Sequence, residues 1–228
     1  EFNFVHNVGS AEGLAKGLKR KSNLMLWYDE FNQFVQKCRI QGSVLLSVTT
    51  SLFENTSWGN LTSKHEIELE DVYLSILAAT TTETHEKMWS GDFIAIGFIN
   101  RLFIVPGEAD KKIALPKTIP QNLKDGIARK LGESLRFADR VNKLIFMPEA
   151  WNIYEKWYNN LENSMYTVRI DTYALRFIIL LAVDQLKQRI DKEIVEYAIK
   201  IADWQIEMRK QYSPIDADTQ ISKFEEKI

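Results

Sequence analysis

Hydrophobic positions follow two regimes along the chain. Up to about residue 115, short apolar runs alternate with amphipathic stretches. Residues 24–28 (Leu-Met-Leu-Trp-Tyr) form one unbroken apolar run, the pattern of a strand buried on both faces of a parallel sheet. Residues 72–79 form a second, and residues 98–105 a third, interrupted by Asn100 and Arg101. Between them the spacing predicts helices over residues 11–19, 31–38, 43–53 and 82–89. Strands alternating with helices predict an α/β layered sheet. Residues 58–62 and 65–69 predict two short strands around a polar turn at Ser63-Lys64, a hairpin inserted near 57–70.

The second regime follows Pro106-Gly107. Leu115-Pro116 and Ile119-Pro120 mark a loop, because the residue before proline avoids the helical region. Helical periodicity then covers residues 121–141, 148–161, 171–190 and 192–212. Pro148 suits a first helical turn, and Pro214 ends the last long helix. The expected organisation is a sheet-containing domain at 1–115, an all-α subdomain at 116–212 and a polar tail at 213–228.

Composition narrows the class. Hydrophobic residues make up 45% and charged residues 26%, as in soluble globular chains. The longest uncharged apolar run, residues 177–183, falls far short of a bilayer span, so no membrane partner is expected. Cys38 is the single cysteine, which excludes an intramolecular disulfide framework and fits a reducing, cytoplasmic setting. A net charge of −2 does not indicate a wholly basic nucleic-acid binder. No signal-peptide pattern opens the chain, and a first residue of Glu1 instead of Met suggests a fragment or a processed product.

Candidate chemistry gathers at strand ends, where open α/β sheets bind ligands. The first apolar run ends in Asp29-Glu30. Asp29 can hold Mg²⁺ through a water, and Glu30 can polarise an attacking water. Alternatively, both acids serve only the dipole of the helix that follows. The second run ends in Thr80-Thr81-Thr82-Glu83, whose hydroxyls can meet a phosphate or a water. Thr80 with Glu83 also reads as a capping box. Arg101, in the third apolar run, needs an anionic partner, either a phosphate or an internal carboxylate. Arg176 has no carboxylate three or four residues away, so it either seeks a distant anion or lies on the surface.

Other signals carry less. His6, His65 and His85 lack metal-ligand spacing, and Cys38 reads as core. The stretch 13–22 (Gly-Leu-Ala-Lys-Gly-Leu-Lys-Arg-Lys-Ser) leads into a strand where a phosphate loop leads into a helix. Trp151, Trp157, Tyr158 and Trp204 fall at helical spacing and read as core.

The order of these pieces is more specific than any one of them. Gly9-Ser10-Ala11-Glu12-Gly13-Leu14, Leu26-Trp27-Tyr28-Asp29-Glu30-Phe31, Leu52-Phe53-Glu54, the run from Leu74 to Thr80, Gly97-Phe98-Ile99-Asn100-Arg101-Leu102-Phe103 and Tyr173-Ala174-Leu175-Arg176 follow one another in this chain. In that order the chain resembles, over roughly residues 8 to 205, a helicase-like P-loop ATPase family of bacteria, phages and mobile elements, often fused to primase domains. The resemblance implies a partial P-loop NTPase core of the RecA/AAA type, ATP and Mg²⁺ as cofactors, and a homo-oligomeric ring that translocates single-stranded DNA. By position, Asp29 and Glu30 match the Walker B acids, and Thr80 or Thr81 the polar sensor. Arg101 matches the arginine finger and Arg176 the lid arginine. Lys64 occupies the place of a DNA-touching pore loop. The departure is the Walker A loop, Gly-x4-Gly-Lys-Ser/Thr, which occurs nowhere in these residues. The family places it upstream, so the expectation is an ATPase piece that is inactive alone. The alternatives are a non-catalytic DNA-binding or scaffold module with a degenerate fold, and a protein-remodelling ATPase.

Overall fold

A computed structural model describes residues 3–61, 66–108, 112–115 and 117–214, with Leu61 by its backbone alone. The predicted turn at Lys64 and nearly all of the tail at 213–228 lie outside the described residues. The chain is mixed α/β, with a three-stranded parallel sheet, and divides into two compact units, one within Glu1–Leu102 and the other Phe103–Ser213.

In the first unit, β1 (Phe4–His6), β2 (Asn23–Tyr28) and β5 (Tyr73–Ala78) lie parallel in the order β1-β2-β5. Helix α1 (Ala11–Arg20) connects β1 to β2. Its start is fixed by Ser10, whose hydroxyl accepts from the Gly13 N–H at 3.1 Å. Ala11, Leu14, Ala15 and Leu18 recur at helical spacing and supply its buried face. Helices α2 (Asn32–Cys38) and α3 (Leu45–Ser51) follow β2, then the antiparallel hairpin β3 (Trp58–Leu61) and β4 (Glu66–Leu69). After β5 come α4 (Thr82–Lys87), α5 (Gly91–Ala95) and a 3-10 turn at Ile99–Arg101.

Two expectations are corrected here. Strand β2 is not buried on both faces: Leu24, Leu26 and Tyr28 are buried, while Trp27 is 38% exposed. Register places Trp27 beside Leu77, also exposed, on the sheet face opposite Leu26 and Ile76. Residues 98–105 do not form a strand. Gly97 adopts φ +68°, and Phe98 turns into an aromatic cluster with Phe31, Phe34, Trp89 and Phe93. The chain then winds as the 3-10 turn, because burying Phe98 and Ile99 together requires adjacent side chains on one side.

His85, on α4, meets the Trp89 ring edge-on at 5.3 Å, and burial holds its pKa below the ordinary 6.5. The unfolded chain therefore binds the extra proton first. His85 contributes stability in full above pH 6.5 and loses it as pH falls through the folded value. Denaturation measured from about pH 7.5 down to about 5 should show a smaller loss for His85→Gln than for the parent.

The second unit holds α6 (Gln121–Arg140), β6 (Ile145–Phe146), α7 (Pro148–Asn159), α8 (Ile170–Asp184), β7 (Arg189–Ile190) and α9 (Lys192–Tyr212). The two short strands pair in parallel. Ile170, Ala174, Ile178 and Ala182 on α8 are buried, as are Ile194, Ala198 and Ala202 on α9. Rows spaced by four, with alanines in them, let the two helices interdigitate closely. Buried Arg209 on α9 donates to the Tyr166 and Val168 carbonyls at 3.0 and 2.8 Å, fixing the loop before α8. Asp191 caps α9 by accepting from the Ile194 N–H at 3.1 Å. Asp191→Ala should cost about 1 kcal/mol in chemical denaturation, and Asp191→Asn, which keeps the acceptor, clearly less.

The aromatic residues read as core are less buried than expected. Trp151, Tyr158 and Trp204 are exposed, and Tyr154 takes the interior place on α7 beside Ala150. No helix among the described residues is long and apolar enough to cross a membrane.

Candidate functional site

The carboxyl ends of β2 and β5 lie side by side, because the strands pair in register from Asn23 with Tyr73 to Tyr28 with Ala78. Backbone bonds continue the seam past the last pair. The Ala79 N–H donates to the Tyr28 carbonyl at 2.9 Å, and the Phe31 N–H to the Ala79 carbonyl at 2.8 Å. Glu30 and Thr80 are thus held as neighbours across 50 residues of sequence, and the Thr80 hydroxyl donates to Glu30 Oε1 at 2.9 Å. The Asn32 N–H donates to the same oxygen at 3.3 Å. This is the helix-serving contact considered for the acids, and Glu30 makes it together with the Thr80 bond.

Asp29 follows a different course. Its Oδ1 accepts from the Trp27 indole N–H at 2.7 Å, and the side chain is exposed. The two adjacent acids, both just past the end of β2, therefore engage different partners: Asp29 reaches back to Trp27 on β2, and Glu30 crosses to Thr80 beyond the end of β5. Beneath them, the Tyr28 hydroxyl accepts from the Val8 N–H at 3.2 Å. Burial pushes the Tyr28 phenol above its ordinary pKa despite that bond.

The capping expectation moves by one residue. Thr81, not Thr80, starts α4, and its hydroxyl accepts from the Thr84 N–H at 3.2 Å. That leaves the Thr80 hydroxyl for Glu30.

Arg101 is turned into its own unit. Its side chain is 9% exposed, 3.7 Å from Glu54 and over the Phe53 ring at 5.8 Å. It also donates to the Gly97 carbonyl at 2.8 Å. The internal carboxylate is thus the anion that this arginine meets. Arg176 lies exposed on α8 in the second unit. Lys64 lies outside the described residues.

Two surface cavities, of about 390 and 510 Å³, are lined by residues of the second unit and by none of these side chains. No group of three or more His, Cys, Asp or Glu suited to a metal occurs among the described residues. Magnesium with a nucleotide needs only one or two carboxylates beside the phosphate oxygens, and the exposed Asp29 beside Glu30 has that donor chemistry. The Trp27 contact to Asp29 escaped the sequence reading, because Asp29 lies just past the end of β2, where strand alternation no longer fixes which way a side chain points. No family model matches the chain, and no curated protein matches it.

Proposed function

We propose that the chain is part of a helicase-like ATPase acting in DNA replication of a phage, plasmid or mobile element. In its natural length it works as a homo-oligomeric ring on single-stranded DNA. The observation that supports this most is the Thr80–Glu30 hydrogen bond at the carboxyl ends of adjacent parallel strands. A carboxylate there, aimed by a hydroxyl from the next strand, suits the orientation of a water for in-line attack on a phosphate. Asp29 stands one residue away to hold a hydrated cation. Bound Mg²⁺ would neutralise phosphate charge. Thr80 fixes the Glu30 rotamer, and Glu30 orients the water and takes up its proton. Arg176 is exposed on α8, where it would meet an anion of a neighbouring copy. Arg101 reaches a phosphate only on leaving Glu54 and the Gly97 carbonyl.

A second reading, a DNA-binding or scaffold module without turnover, draws on the absence of any Gly-Lys pair in these 228 residues. ATP hydrolysis by the natural-length protein, measured with Mg²⁺ and with or without single-stranded DNA, separates the two. The ATPase reading expects Mg²⁺-dependent turnover stimulated by DNA. DNA binding without turnover would establish the module. Turnover stimulated by a protein substrate and indifferent to DNA would establish a protein remodeller.

A further inference from the structure

We infer that Trp27 is a positioning residue for the metal-holding carboxylate of Asp29. The inference rests on the ATPase reading and deepens it. An indole N–H can only donate, and here its donation goes to Asp29 Oδ1 at 2.7 Å. The bond ties Oδ1 of an exposed side chain and restricts its rotamer, so that Oδ2 would be the oxygen to take a hydrated cation. Trp27 is itself anchored: it pairs with His6 on one side and Leu77 on the other in the β1-β2-β5 sheet. The indole is therefore a rigid post, built on a central strand, from which a flexible acid is held. At 38% exposure Trp27 covers most of its surface in the sheet while its indole N–H remains in reach of Asp29. A donor reaching a carboxylate two residues away explains why the position holds tryptophan and not another apolar residue.

The test is Trp27→Phe in the natural-length protein, which keeps an aromatic ring and removes the N–H. Manganese, standing in for magnesium, is titrated by EPR in the presence of a non-hydrolysable ATP analogue. The metal dissociation constant should rise about tenfold, the scale of a lost outer-sphere contact. Metal-free nucleotide affinity should be unchanged. In turnover, the metal concentration for half-maximal rate should rise while kcat at saturating metal stays within about twofold. Trp27→His, which can present a ring N–H, should recover part of the metal affinity. It also serves as the second variant if Trp27→Phe does not fold. Parent-like metal affinity in a folded Trp27→Phe that still hydrolyses ATP would overturn this role and leave the ATPase reading standing. A parent protein that binds neither metal nor nucleotide would overturn both.

Discussion

On the proposed ATPase reading, Glu30→Gln is expected to abolish ATP turnover and leave nucleotide binding intact. The substitution changes little in shape. A glutamine carbonyl oxygen can still accept from the Thr80 hydroxyl and the Asn32 N–H, the two contacts that hold the parent carboxylate. What the amide loses is basicity: it cannot draw a proton from a water as the bond to phosphorus forms. Loss of a positioned general base costs roughly 10²–10⁴ in rate. Because Glu30 is assigned to the water and not to the phosphates, the dissociation constant of a fluorescent ATP analogue should move by less than about threefold, as expected for an interaction made only in the transition state. Steady-state phosphate release measures the first quantity and equilibrium fluorescence the second. An unchanged turnover rate would remove Glu30 from the mechanism. Lost nucleotide binding would place it among the binding groups instead.

The parts of the fold that the sequence revealed are those with a strong local pattern. Residues 24–28 and 72–79 are apolar runs ending in polar residues, and they are the two paired strands whose ends carry Asp29, Glu30 and Thr80. The long helices of the second unit were legible because their apolar positions repeat with a helical period, but the helix expected over 171–190 stops at Asp184, and Arg189–Ile190 pair with Ile145–Phe146 as two short strands in a unit expected to be all-α. β1 was not legible, since three residues, Phe4 to His6, are too few to show a period. Residues 98–105 misled for the opposite reason. Apolar runs of that length fit a strand or a buried turn equally, and only the positive φ at Gly97 and the aromatic cluster around Phe98 decide for the turn. The site shows the same division. That acids and hydroxyls stand at strand ends is a local fact. That Thr80 gives its proton to Glu30 and leaves the helix cap to Thr81 is a tertiary fact, invisible until β2 and β5 are placed side by side. Arg101 was ambiguous between phosphate and carboxylate for want of the same knowledge, and Glu54 arrives from the end of the α3 segment, outside any local window.

Phe34→Ala is expected to be the most damaging single truncation in the first unit. Phe34 is fully buried on α2, with its ring stacked on Phe31 at 5.4 Å and in contact with Tyr28 at 5.7 Å and Phe98 at 5.8 Å. Removing it opens a void that these neighbours cannot close, because each ring is held elsewhere. Tyr28 is fixed in β2 and bonded to Val8, and Phe98 follows the turn that Gly97 makes at φ +68°. The cost should be about 3–5 kcal/mol, a large share of the roughly 5–15 kcal/mol that holds a typical domain folded. Tyr73→Ala, on the exposed face of β5, should stay near 0.5 kcal/mol, which makes it a control for aromatic loss without a void. Urea denaturation followed by near-ultraviolet circular dichroism reads both variants. The damage should also reach the site. Phe31 adjoins Glu30 in sequence, and its N–H holds the seam to Ala79, so a loosened Phe31 ring frees the carboxylate from Thr80. A Phe34→Ala protein within about 1 kcal/mol of the parent would mean that the aromatic cluster repacks freely, and that it does not fix the position of Glu30.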